Sequence, residues 1–193
     1  MTSTMCFEID ISGSDAVDWL DSETLHAALQ TALKLERVCQ AVLSISVVDN
    51  DTIHRLNRDY LKHDYATDVI SFQLDWSAAG RQAPGHASEG RSAEAAIEGE
   101  IVVSWQYAEE MAERCGWEPC HELTLYAVHG MLHICGYDDL TAAEKQIMRS
   151  RERFIMKYLG GTPNYPDENV AEEEPPGSPD TNVVSHESSE GRL

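Results

Sequence analysis

The sequence predicts an α+β domain, and three observations carry that expectation. Stretches with a helical apolar period and stretches with strand-like alternation interleave without strict strand–helix–strand repetition. The chain has 193 residues, 42% hydrophobic and 25% charged, which suffices for one ordinary domain with its own core. Its longest apolar-rich run, residues 41–48 with Ser44 and Ser46 inside it, is far short of the roughly 20 residues that cross a membrane.

The elements follow in order. Residues 6–11 alternate apolar and acidic side chains, with Phe7, Ile9 and Ile11 on one face of a half-buried strand. Residues 22–38 have a helical period, with Leu25, Leu29, Ala32 and Leu33 in one stripe and Asp21 or Ser22 as cap. The β-branched run 42–48 reads as a buried strand. A short helix is expected over 51–60, capped by Asp49 or Asn50, and two further strands over 69–74 and 101–103. Helices over 105–115 and 118–135 are separated by Gly116. Thr141 and Glu144 have capping-box spacing and open a last helix, on which Ile147, Phe154 and Tyr158 are expected to face inward.

Two segments fall outside this order. Residues 78–99 contain 13 Ala, Gly or Ser among 22 and read as a flexible loop inserted between two strands. Residues 163–193 hold five of the seven prolines, eight acids and one Arg, a charge of −7. They read as an acidic disordered tail, which leaves a folded domain over residues 1–162. The whole chain carries −20, so −13 remains on that domain. A surface that coats nucleic acid is excluded, and any RNA contact is expected to use a local basic groove. The five cysteines are odd in number and lack a C-x-x-C pair, as expected of free thiols in a reducing compartment. No positive segment followed by an apolar stretch opens the chain, so a soluble, cytoplasmic protein is expected.

One segment concentrates chemistry. His129 and His133 are four apart, so on a helix their imidazoles project from one face, one turn apart. Gly136 can reverse the chain and return Asp139 as a third ligand. Two imidazoles and a carboxylate leave a fourth tetrahedral position open, the mark of a catalytic metal site. With 8 His in 193 residues, about 0.3 H-x-x-x-H pairs arise by chance. Requiring the Gly and a third ligand at these offsets lowers that to about 0.004. Zinc peptidases of the metzincin type share the spacing, but they need a Glu base after the first His, and this chain has Gly130 there. Cys135, Cys120 and His121 lie nearby and read as packing or incidental residues; Trp105, Tyr107 and Trp117 read as core or rim rather than base-stacking groups.

Three blocks resemble the YbeY-type metallo-endoribonucleases, the rRNA maturation factors. They are Leu56-Asn57-Arg58-Asp59-Tyr60 with residues 64–72, then residues 99–104, then residues 129–139. The resemblance covers roughly residues 40–160 apart from the 78–99 loop. It implies a small zincin-like α+β fold with a mixed sheet and a helix carrying H-x-x-x-H. One zinc ion would be held by His129, His133 and Asp139. It also implies single-strand-specific cleavage of RNA in 3′-end maturation of 16S rRNA, and a part in ribosome quality control. The implied partners are the small ribosomal subunit, with ribosomal proteins or assembly GTPases. The chain departs from the family at two places. Asp139 stands where the third ligand is usually His, and Leu61 stands where many members have Arg, so a phosphate-binding role would pass to Arg58, Lys62 or His63.

Glu100, Asp68 and His63 lie in the matched blocks as candidates for proton transfer. Each also has a structural reading, as a strand-end carboxylate, a turn residue and an exposed side chain. Water and the RNA's own 2′-OH both remain open as nucleophile. A non-catalytic, zinc-stabilised ribosome-assembly protein and a metallopeptidase are the alternative functions, and Gly130 counts against the second.

Overall fold

A computed structural model describes residues 5–78 and 94–165. The elements are β1 (Cys6–Ser12), α1 (Ser22–Leu35), β2 (Gln40–Val48), α2 (Asn50–Leu56), β3 (Val69–Ala78), β4 (Ala95–Ser104), α3 (Trp105–Cys115), α4 (Pro119–Ile134) and α5 (Ala142–Tyr158). The strands form one mixed sheet in the order β1-β2-β4-β3. β1, β2 and β4 run parallel, and β3 is antiparallel to β4. The architecture is α+β.

Local chemistry sets the ends of the elements. Asp21 caps α1, its carboxylate accepting from the backbone N–H groups of Glu23 and Thr24 at 3.2 and 3.3 Å. The helix stops at Leu35, short of the expected residue 38, because Arg37 enters the left-handed region at φ 59° and turns the chain into β2. The expected stripe Leu25, Leu29, Ala32 and Leu33 is buried. α2 continues into a π-helical turn over Asn57–Leu61, which ends where Lys62 takes φ 65°.

The expectation of a buried β2 needs correction. Leu43, Ile45 and Val47 are buried, whereas Val42 is exposed. The reason is coverage: α1, α3, α4 and α5 pack on one face of the sheet in the main core, while among the described residues the other face carries the small cluster of Ile53, Ile70 and Val102 with partly buried neighbours. The loop expected over 78–99 is shorter than that range. Ala78 pairs with Ala95, and Ala95 and Ile97 are buried, because ladder hydrogen bonds and burial outweigh the low strand propensity of Ala and Gly. Residues 79–93 of that segment lie outside the described residues.

The last helix also differs from expectation. Thr141 and Glu144 form the capping box, but Phe154 and Tyr158 are 50% and 67% exposed. The buried stripe is Met148, Glu152, Ile155 and Met156, one position round the helix. Docking on α4 chose the stripe next to the expected one, and it contains a carboxylate. Beyond α5, Tyr165 is only 5% exposed and belongs to the core cluster. The core therefore extends past residue 162, the expected end of the folded domain, and residues 166–193 of the expected tail lie outside the described residues.

Candidate metal centre

α4 brings the two imidazoles to one face, and close packing of the neighbouring face, through Gly130 and Ile134, holds the helix against the sheet. A Cβ built on Gly130 would lie 2.9 Å from Ile101 Cγ2 and 3.1 Å from Val69 Cγ2. The helix approaches β3 and β4 too closely for a larger residue, so the glutamate base of a metzincin peptidase has no room here. After Ile134 the chain reverses through Gly136 at φ 88°. That reversal returns Asp139 to the imidazoles.

His129, His133 and Asp139 each present a ligand atom, and these atoms lie within 4.8 Å of one another. The two Nε2 atoms are 2.9 Å apart, and the Asp139 oxygens lie 3.9 Å from His129 Nε2 and 3.8 Å from His133 Nε2. Donors about 2.0–2.1 Å from a tetrahedral ion stand about 3.3 Å apart; the two nitrogens are closer than that, and the carboxylate, whose Oδ2 faces His129 and Oδ1 faces His133, stands somewhat farther off. The donor set fits one divalent ion.

The opposite nitrogens fix the rings. His129 Nδ1 lies 2.6 Å from Glu152 Oε1, and His133 Nδ1 lies 3.0 Å from the Tyr137 carbonyl oxygen. With carboxylate and carbonyl as acceptors, each Nδ1 is the donor, which leaves each Nε2 as the nitrogen able to ligate an ion. Glu152 is held in turn by the Tyr165 hydroxyl at 2.5 Å and by Arg149 at 3.3 Å. The Arg149 guanidinium also lies over the Tyr165 ring at 3.7 Å. Tyr137 donates its hydroxyl to Glu36, a fully buried carboxylate that also pairs with Arg151.

The electrostatics favour positive charge at the centre. Burial opposes protonation of His129, but the Glu152 hydrogen bond and charge, with Asp68 and Asp139, outweigh it and raise its pKa. Burial and then the adjacent His129 lower the pKa of His133, keeping it a neutral donor. Burial works against ionisation of Glu152, yet His129, Tyr165 and Arg149 together lower its pKa. An ionised carboxylate therefore backs the first imidazole.

The site opens into a polar cleft of about 570 Å³, walled by Leu61, Tyr65, Asp68, Ser71, Gln73 and Ile134 among others. The other expected site residues separate clearly. Asp68 lines this cleft and the smaller cavity behind the imidazoles, and its Oδ1 accepts from Thr67 Oγ1 and Val69 N at 2.8 and 2.9 Å. Glu100 is exposed between buried Gly99 and Ile101; since Ile101 faces α4, Glu100 points to the far side of the sheet, away from the imidazoles. His63 stacks on Tyr65 at the edge of the cleft. Arg58 pairs with Asp59 at 3.1 Å and Lys62 donates to the Asp59 carbonyl at 2.8 Å; neither lines the cleft. No Lys or Arg is among the cleft's described lining residues, so the expected basic groove does not coincide with this site.

Glu152 and Tyr165 escaped the sequence reading. Glu152 had a usable signal, an acid between Met148 and Ile155 on one helical stripe, which marks a buried carboxylate in need of a partner. Tyr165 had none, because it is a single aromatic in a Pro-rich, acidic segment. Trp105, Tyr107 and Trp117 pack against the core as expected, and Cys135 is fully buried.

The family profile described as endoribonuclease YbeY matches residues 10–160. The endoribonuclease YbeY of Salinibacter ruber is 40% identical over 133 residues, 69% of this chain and 80% of its own length. That of Brevibacillus brevis is 37% identical over 138 residues, 72% of this chain and 86% of its own. That of Geobacillus thermodenitrificans is 34% identical over 160 residues, 82% and 99% of the two chains. A Thermotoga maritima protein solved in solution matches with a TM-score of 0.49 at 19% identity, over 90% of this chain and 99% of that one. No helix among the described residues is long and apolar enough to cross a membrane.

Proposed function

This chain belongs to the endoribonuclease YbeY family, and from that premise we propose that it is a zinc-dependent endoribonuclease that cuts single-stranded RNA. In this reading the substrate is the 3′ end of 16S rRNA in the cytoplasm. Its partner is the small ribosomal subunit, with ribosomal proteins or assembly GTPases, and the same cleavage serves ribosome quality control. The observation that carries the reading is the convergence of His129 Nε2, His133 Nε2 and the Asp139 carboxylate at the wall of an open, polar cleft.

His129, His133 and Asp139 would hold the ion. Two imidazoles and one carboxylate suit zinc better than Mg²⁺ or Ca²⁺, which take mostly oxygen ligands. A divalent ion bound there supplies Lewis acidity toward the scissile phosphodiester. The remaining work falls to the chain's own side chains. Glu152 and the Tyr137 carbonyl keep the imidazoles in one tautomer and orientation. Among Glu100, Asp68 and His63, Asp68 is the one whose carboxylate lines the cleft beside the ligands, and two hydrogen bonds to Oδ1 fix its direction. That position supports assigning it the proton transfer from the attacking group, whether water or a ribose 2′-OH. In that role Asp68→Asn lowers kcat at least about a hundredfold while the protein retains its metal.

The test measures bound metal, then assays an unstructured RNA and casein side by side, with His133→Ala as control. RNA cleavage that disappears in His133→Ala together with bound zinc supports the reading. Cleavage unchanged in the metal-depleted His133→Ala protein, or casein cleavage in place of RNA cleavage, would refute it.

A further inference from the structure

The cleft presents a difficulty for RNA binding that its own wall resolves. Its described lining carries Asp68 and Asp139 and no Lys or Arg, and Leu61 occupies the wall at the end of the π-helical turn. Among the described lining residues no cationic side chain neutralises a phosphate. Next to Leu61 the same wall carries Tyr65, 57% exposed, with the His63 ring stacked on it at 5.5 Å between centroids and 8° between planes.

This pair is held by backbone. Asn57, 2% exposed, donates its side-chain amide to the Tyr65 carbonyl oxygen at 2.9 Å, while its own carbonyl oxygen accepts from the His63 backbone N–H at 3.3 Å. Between them, Asp64 is tied to His54 at 2.8 Å. One buried amide residue thus positions both aromatic residues, so little freedom is lost when a third ring joins the stack. A soft surface tyrosine would not need such a clamp.

We propose that the stacked Tyr65–His63 pair is a nucleobase platform, on which one base of the single-stranded substrate stacks while its neighbouring phosphate reaches the metal centre. The inference rests on the endoribonuclease reading and adds to it how the strand is gripped. Stacking tolerates any base, because each has a π face, and it requires a base that is not already paired and stacked in a duplex. Preference for single strands then follows from the platform.

The test uses the full chain and a single-stranded RNA oligonucleotide carrying one 2-aminopurine, whose fluorescence falls when it stacks. Wild-type protein should quench it on binding. Tyr65→Ala should lose the quench and bind about tenfold to a hundredfold more weakly, with KM raised by the same factor and kcat within about threefold. Tyr65→Trp should restore both. Abasic substitution along the RNA, tested with wild-type protein alone, should weaken binding about tenfold at one or two adjacent positions. If Tyr65→Ala folds, cleaves RNA and keeps the wild-type KM, or if the abasic scan is flat, the platform is wrong and the endoribonuclease reading stands. If the wild-type chain neither binds nor cleaves RNA, both fall.

Discussion

The Asp139 carboxylate lies 3.8 and 3.9 Å from the two imidazoles, while the first turn of α5 is capped by Thr141 and Glu144. The helix start is satisfied without it, which separates the ligand role from a capping role. Asp139→Asn should weaken zinc binding about tenfold or more with little change in stability, and Asp139→His should retain zinc. Competition with a chromophoric chelator reads both, and an Asn variant that binds as tightly as wild type would remove the assignment. Glu152→Gln should likewise weaken binding about tenfold to a hundredfold, since it takes the charge from behind His129. Glu122 offers a test by pH. It is buried, and burial raises its pKa, while the hydrogen bond from Trp117 only partly opposes this. A carboxyl whose folded pKa exceeds its unfolded value near 4.5 costs stability above the folded pKa, and that cost vanishes as pH falls below the unfolded value. Glu122→Gln should therefore raise the melting temperature at pH 7, with the gain shrinking toward pH 4. A gain that grows on acidification would contradict the assigned burial effect.

At the level of elements, α4 is tied to the rest of the fold by polar links as well as packing. Glu36 sits at the C-terminal end of α1, where the helix dipole disfavours an anion, and Arg151 of α5 and the Tyr137 hydroxyl compensate it. The Tyr137 carbonyl then orients His133, so α1, α5 and a ligand share one network. Arg151→Met leaves the buried carboxylate without its guanidinium and should cost about 3 kcal/mol, the low end for a broken buried pair because Arg151 is partly exposed. For a chain of this size that is a fall of about 6–12 °C in melting temperature. Adding Glu36→Gln should recover much of it. A double variant no better than Arg151→Met would show that packing rather than charge holds this junction.

For the whole molecule the −20 charge and the segment after α5 matter most. A protein making six to ten phosphate contacts loses roughly a thousandfold or more in affinity between 50 and 200 mM salt. With no cation in the described cleft lining, a change under about tenfold is expected here. A thousandfold loss in a titration would require a basic surface elsewhere. Truncation tests the domain boundary. A chain ending at Gly161 loses the Tyr165 ring from the core and its hydroxyl from Glu152, and should melt about 6–12 °C lower. A chain ending at Tyr165 should melt within about 2 °C of the full chain, because the acidic, proline-rich remainder has too little apolar surface to join a core. Equal melting of the two truncations would put Tyr165 outside the stabilising core.

Periodicity and spacing alone determined the helices that carry chemistry, the approximate place of each strand, and the convergence of His129, His133 and Asp139. Those features depend on residues close in sequence: a 3.6-residue turn aligns positions 129 and 133, and one glycine reverses the chain between the second and third positions. Tertiary structure decided what depends on contacts distant in sequence. It chose the inward stripe of α5, and so placed Glu152 behind His129 across 23 residues. It separated Asp68, on the cleft wall, from Glu100, because adjacent positions on a strand face opposite sides and the identity of the covered side is set by α4. It drew Tyr165 into the core against the composition of its own segment, because a buried carboxylate and an arginine waited there for a hydroxyl and a ring.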